Sequence, residues 1–321
     1  MKKIIVIALI LCLLLTGCEP ATESPVSEEA APQVTQVQVE QGQVAGEVTP
    51  TIQQPTEVPP PLPTPTPEPA LPPEPQEISF NAMDGQELKG LFYPAARLNT
   101  PVVVLIHWIK GDKSDWYEIA PWLQNRGLKN PFPNPSDEPW WDPTWFPAIG
   151  EEISYNVFIF SLRSCLPMNA KGCPKFIANA WLDDVEGAML KITELEGVDA
   201  SQVVVIGSSI GADGAADGCL ILNDRQPGAC QGALSLSPGS YLGMEYAKVV
   251  ETHSQSASPA TIWCLADENE ISICKSAGEY PNYQIFEIPG GDHGTMLLSP
   301  ELTPLPLQLI LDFLDLTLGG E

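Results

Sequence analysis

The pentapeptide Gly207-Ser208-Ser209-Ile210-Gly211 follows a β-branched run at 202–207 and precedes a helix-like run of small residues that includes Ala212, Ala215 and Ala216. A serine between a strand and a helix sits on a tight turn whose neighbours must lack bulk, and the flanking glycines meet that need. The N-terminus of the following helix adds partial positive charge beside an oxyanion forming at the serine. The chemistry implied is nucleophilic attack on a carbonyl by Ser209. A serine hydroxyl is a poor nucleophile without a base, and His107, His253 and His293 are the three histidines of the chain. His107 ends an apolar run at 102–107. His253 lies in the polar stretch 252–258 and is expected to be solvated. His293 lies in Pro289-Gly290-Gly291-Asp292-His293-Gly294, a loop of small residues after a strand-like run at 284–288. Acids follow another such run, 261–265, in Ala266-Asp267-Glu268-Asn269-Glu270.

Strand and helix patterns alternate around these residues. Segments 78–81 and 88–93 flank Asp84-Gly85, a hairpin signal. The apolar run at 102–107 has the composition of a strand buried on both faces, and 155–160 reads as another buried strand. Helical spacing appears at 114–126 through Trp116, Ile119, Ala120 and Leu123. It recurs at 176–195 through Ile177, Trp181, Val185, Ala188, Met189, Ile192 and Leu195. Further strands are expected at 232–236, 261–265 and 284–288, and a closing helix at 305–318. This alternation predicts an α/β fold: a mostly parallel, doubly wound sheet with helices on both faces and a site beyond the carboxyl ends of its strands.

The Gly-x-Ser-x-Gly turn in that setting resembles the nucleophile elbow of the α/β-hydrolases, in particular the dienelactone-hydrolase-like and small carboxylesterase branches. The likeness extends from about residue 78 to 318. His107-Trp108 resembles the family's His-Gly pair, with Trp108 in place of glycine, and Ser161-Leu162-Arg163-Ser164 stands where many members have Asp-x-Arg-Gly. The resemblance implies Ser209 as nucleophile, His293 as base, and backbone N–H groups of Trp108 and Ile210 as the oxyanion hole. The acid is expected just after 261–265, at Asp267 or alternatively Glu268. No metal or organic cofactor is implied.

The N-terminus carries a different signal. Lys2 and Lys3 precede an apolar run at 4–15 that is short for a membrane span, and Leu15-Thr16-Gly17-Cys18 resembles a bacterial lipobox. The resemblance implies cleavage before Cys18 and lipidation of its thiol, placing the protein on the extracytoplasmic face of the cell membrane. Residues 19–77, rich in Pro and Glu and without Lys or Arg, read as a disordered tether, and 78–321 as the catalytic domain. Six later cysteines fall in close pairs: Cys165 with Cys173, Cys219 with Cys230, Cys264 with Cys274. In an exported chain these are expected to form disulfides between sequence neighbours. The formal net charge of −26 excludes a nucleic-acid partner, which needs a basic face.

Segment 127–150 is an aromatic insertion with Phe132, Trp140, Trp141, Trp145 and Phe146. The preceding helix carries the chain away from the catalytic end of the sheet, so packing over the sheet edge is expected in preference to a lid or a sugar-stacking platform. Together these features predict a serine hydrolase acting on a small ester or thioester. A non-catalytic binding lipoprotein on the same scaffold, and an acyltransferase or peptidase using the same triad, are the alternatives.

Overall fold

Alternate residues of the central strands face two separate cores. Val102, Val104 and Ile106 pack on one side with Phe158, Phe160, Val203 and Val205, while Val103 and Leu105 pack on the other with Val157, Ile159, Val204 and Ile206. All are buried. Residues alternate sides along a strand, so a run that is apolar at every position must be covered on both faces. The computed structural model, which describes residues 71–129, 131–132 and 142–319, meets that demand with a single sheet. Cys18, residues 19–70, Trp140 and Trp141 lie outside the described residues.

The eight strands are β1 (Gln76–Asn81), β2 (Glu87–Tyr93), β3 (Thr100–Ile106), β4 (Asn156–Phe160), β5 (Val198–Ser208), β6 (Cys230–Leu236), β7 (Thr261–Ala266) and β8 (Tyr283–Glu287). Their spatial order is β1-β2-β4-β3-β5-β6-β7-β8. β1 and β2 pair antiparallel, and β2 runs antiparallel to β4. The remaining pairs are parallel. Helices α2 (Ala178–Ile192), α3 (Ile210–Arg225), α4 (Tyr246–Gln255) and the short α5 (Ser272–Ser276) cover one face. Helices α1 (Ile119–Gln124) and α6 (Pro306–Leu318) cover the other. This is an α/β-hydrolase fold, as the sequence predicted.

Two elements differ from expectation. The helix predicted over 114–126 is a 3₁₀ turn, Lys113–Trp116, followed by a six-residue α1. Asn125 ends α1 in the left-handed conformation, and its side chain donates to the Gly150 and Ile153 carbonyls at 2.9 and 2.8 Å. Within the polar stretch 252–258, expected to be solvated, residues up to Gln255, His253 among them, belong to helix α4.

Three disulfides join the expected neighbours, Cys165–Cys173, Cys219–Cys230 and Cys264–Cys274. The second ties α3 to β6, and the third ties β7 to α5. The described aromatics of the insertion turn inward. Phe146 stacks on Trp122 of α1 with ring centroids 5.2 Å apart, and Phe132 lies against Tyr117 at 5.3 Å. A cavity of about 580 Å³ opens beside them, lined by Glu118, Trp122, Lys129 and Phe146, away from Ser209.

Candidate active site

Ser209 follows β5, which lies between β3 and β6 in the middle of the sheet. Its backbone is held at φ 55°, ψ −115°, a strained conformation for a residue with a side chain. The surroundings enforce it. The Ser209 N–H donates to the Leu236 carbonyl at 2.8 Å, and its carbonyl accepts the Ala212 N–H at 2.9 Å as α3 begins. Both glycines of the pentapeptide are required by close approach. A Cβ on Gly207 would lie 1.7 Å from the Gly211 carbonyl oxygen, and one on Gly211 would lie 2.3 Å from the Ile106 carbonyl oxygen.

The loop after β8 brings His293 to this serine, with Nε2 2.7 Å from Ser209 Oγ. On the far side of the ring, Nδ1 lies 2.8 and 2.9 Å from the two carboxylate oxygens of Glu270. A carboxylate accepts, so Nδ1 carries the proton and Nε2 is left to accept from the serine hydroxyl. The arrangement can remove a proton from Ser209 and stabilise the resulting imidazolium.

Neither Asp267 nor Glu268, the expected acids, meets His293. The Asp267 carboxylate folds back on its own turn, accepting the Asn269 backbone N–H at 2.8 Å and its side-chain amide at 2.6 Å. The first of these bonds is the main reason its pKa lies below the usual value. The Asp267 carbonyl accepts the N–H groups of Glu270 and Ile271 at 2.9 and 2.8 Å, which begins a helical turn. With the Asp267 carboxylate held by Asn269, this turn leaves Glu270 as the acid that reaches the histidine. Glu268 joins the two loops instead, accepting the Gly290 N–H at 2.8 Å. Glu270 was visible in the sequence as the last acid of this stretch. The turn-capping habit of Asp267-x-Asn269 removes Asp267 from service, but it does not choose between Glu268 and Glu270.

The other two histidines are structural. His107 is fully buried, and burial lowers its pKa to about 4. Its Nε2 accepts the Leu162 N–H at 3.0 Å, so Nδ1 bears the proton and donates to the Trp108 carbonyl at 2.7 Å. His253 is also fully buried, not solvated as expected, with Nε2 3.0 Å from the Ala216 carbonyl.

Trp108 and Ile210 flank the serine. The Trp108 ring stacks near His293, with centroids 6.3 Å apart, and Lys110 Nζ lies 5.3 Å from the Trp108 ring centroid. Ile210 is the first residue of α3, so its N–H has no acceptor within the helix. Among the described residues neither N–H is hydrogen-bonded to a protein acceptor. Behind the serine, Asp213 of α3 is buried and accepts the N–H groups of Gly239 at 3.1 Å, Ser240 at 3.2 Å and Tyr241. Burial still raises its pKa to about 6. No group of side chains able to hold a metal ion is found among the described residues.

No protein-family model matches the chain. No curated protein matches it either. Solved structures do resemble it. EstE1, a thermostable carboxylesterase cloned from a metagenomic library, is 14% identical at a TM-score of 0.51, covering 80% of this chain and 92% of its own. The α/β-hydrolase GrgF from Penicillium sp. is 12% identical at a TM-score of 0.52, covering 77% and 99%. A dienelactone hydrolase from Anabaena variabilis is 14% identical at a TM-score of 0.50, covering 76% and 98%. At these identities the likeness is one of fold.

Proposed function

We propose that this chain is a serine hydrolase that cleaves an ester or thioester of a small substrate, with Ser209, His293 and Glu270 as its triad. One observation carries the reading: a strained serine bonded to a histidine, whose other nitrogen is bonded to a carboxylate. Ser209 Oγ attacks the carbonyl carbon while His293 Nε2 takes the hydroxyl proton. Glu270 fixes the tautomer and offsets the charge gained by the ring. The tetrahedral oxyanion lies toward the N–H groups of Ile210 and Trp108, reinforced by the N-terminal dipole of α3. Collapse passes the proton from His293 to the leaving oxygen or sulfur. Water then enters by the same route and frees the acid, regenerating Ser209.

Export and anchoring belong to the same proposal. The lipobox-like Leu15-Thr16-Gly17-Cys18 supports a diacylglyceryl-modified cysteine at residue 18. Three disulfides agree with folding in an oxidising compartment. The enzyme then stands on the extracytoplasmic face of the cell membrane, tethered through the Pro- and Glu-rich segment that follows Cys18. Turnover of a short-chain nitrophenyl ester, lost in Ser209→Ala, tests the catalytic part. Retention of the parental rate in that variant refutes it and leaves a binding role on this scaffold.

A further inference from the structure

The loop leaving β3 carries Trp108, and a second loop, 162–173, is built against it. That second loop is closed by the Cys165–Cys173 disulfide. Three contacts join the two loops. The Leu162 N–H donates to His107, which in turn donates to the Trp108 carbonyl. The Cys173 N–H donates to the Ile109 carbonyl at 2.8 Å. Gly172, at φ 60°, lies so close to Lys110 that a Cβ there would be 2.3 Å from the Lys110 carbonyl carbon. Residues 108, 109 and 110 are therefore each gripped from the same side.

The gripping loop is itself anchored. The Arg163 N–H and Nε both donate to Asp184 of α2 at 2.8 Å, and Trp181 Nε1 donates to the Arg163 carbonyl at 3.2 Å. Beyond this anchor the chain turns through 164–172, held besides the disulfide by Cys165 N–H to the Leu162 carbonyl and Leu166 N–H to the Gly172 carbonyl, each 3.1 Å, by Gly172 N–H to the Pro167 carbonyl at 3.3 Å, and by the Ala170 and Lys171 N–H groups to the Pro167 and Met168 carbonyls at 2.8 and 2.9 Å. The disulfide adds a covalent tie that fixes Cys173, and with it Gly172, to the Cys165 end of the turn next to the Arg163 anchor. An oxyanion donor acts only within a few tenths of an ångström of its correct place, and a shift of ~1 Å can cost roughly a hundredfold in rate.

We propose that the Cys165–Cys173 loop is a positioning device for Trp108, an inference that rests on the hydrolase reading above. Cys165, Cys173 and Gly172 touch no reacting atom. They act through Ile109 and Lys110, and their effect falls on kcat.

The test compares three full-length proteins with the parent: Cys165→Ser/Cys173→Ser, Gly172→Ala, which keeps the disulfide but forces the loops apart, and Cys219→Ser/Cys230→Ser as a stability control. Active sites are counted by fluorophosphonate titration, and kcat and KM are measured on a short-chain nitrophenyl ester. The first two variants are expected to lose roughly ten- to a hundredfold in kcat per titrated site, with KM within about threefold of the parent. The dissociation constant of a boronic acid that forms a tetrahedral adduct on the serine should rise by the same factor. The control should melt lower yet keep parental kcat per site. Parental kcat and boronate affinity in both loop variants overturn the positioning role alone. A parent protein that neither titrates nor turns over ester overturns the hydrolase reading beneath it.

Discussion

Glu270→Gln separates the acid assigned by geometry from the two that sequence favoured. Glutamine keeps the shape and one acceptor oxygen but removes the charge, and its amide group can turn toward Nδ1 and favour the wrong tautomer. In a fully enclosed triad, replacing the acid by its amide costs ~10⁴-fold in kcat. The Glu270 side chain is 35% exposed and that of His293 27%, so water screens part of the charge and can bond to the ring in the amide's place. The expected loss is therefore smaller, about 10²- to 10³-fold, or ~3–4 kcal/mol of transition-state stabilisation. Asp267→Asn keeps an oxygen for the Asn269 N–H, and Glu268→Gln keeps one for the Gly290 N–H, so each should stay within about fivefold of the parent, the scale of a weakened charge-assisted hydrogen bond. The assay is kcat on a nitrophenyl ester per folded molecule, with His293→Ala as the reference defect. Asp267→Asn or Glu268→Gln matching that defect, with Glu270→Gln near the parent, refutes the reasoning.

Two further outcomes follow from burial and from the N-terminus. Asp217 of α3 is buried, its Oδ2 has no partner among the described residues, and desolvation, aided by Asp213, raises its pKa from 3.8 to about 8. Between those values the folded chain holds a proton that the unfolded chain has released, so this group makes stability fall as pH rises, by at most ~1.4 kcal/mol per pH unit. Asp217→Asn should flatten the decline in melting temperature from pH 5 to pH 8; parallel profiles for parent and variant contradict this. Cys18→Ala should release the protein from the membrane fraction or stall its processing, and membrane association that persists with the signal removed contradicts the anchor.

The sheet was legible because residues 102–106 and 203–206 are apolar at every position, a pattern that requires cover on both faces. The elbow was legible because glycine is the one residue that fits at 207 and 211. His293 could be placed because a loop of small residues follows the last strand. The acid was not legible, because the choice among Asp267, Glu268 and Glu270 depends on a single helical turn that Asp267 caps. That turn is a matter of backbone hydrogen bonds, which an acidic run does not announce. His253 misled for a related reason: the polar residues around it form the outer face of α4, while the histidine itself points inward toward Ala216. Period-2 and period-3.6 patterns reveal elements, but they do not say which polar residue of a short segment turns toward the core.

The central claim is that Ser209 is a nucleophile activated by His293. Treating the full-length parent with a fluorophosphonate, digesting it and mapping the modified peptide by mass spectrometry tests this most directly. The account predicts a single adduct on Ser209, lost in Ser209→Ala, formed at least a hundredfold more slowly in His293→Ala, and accompanied by loss of ester turnover in step with labelling. Labelling of Ser208 or another residue, or undiminished ester turnover once Ser209 is fully modified, contradicts it.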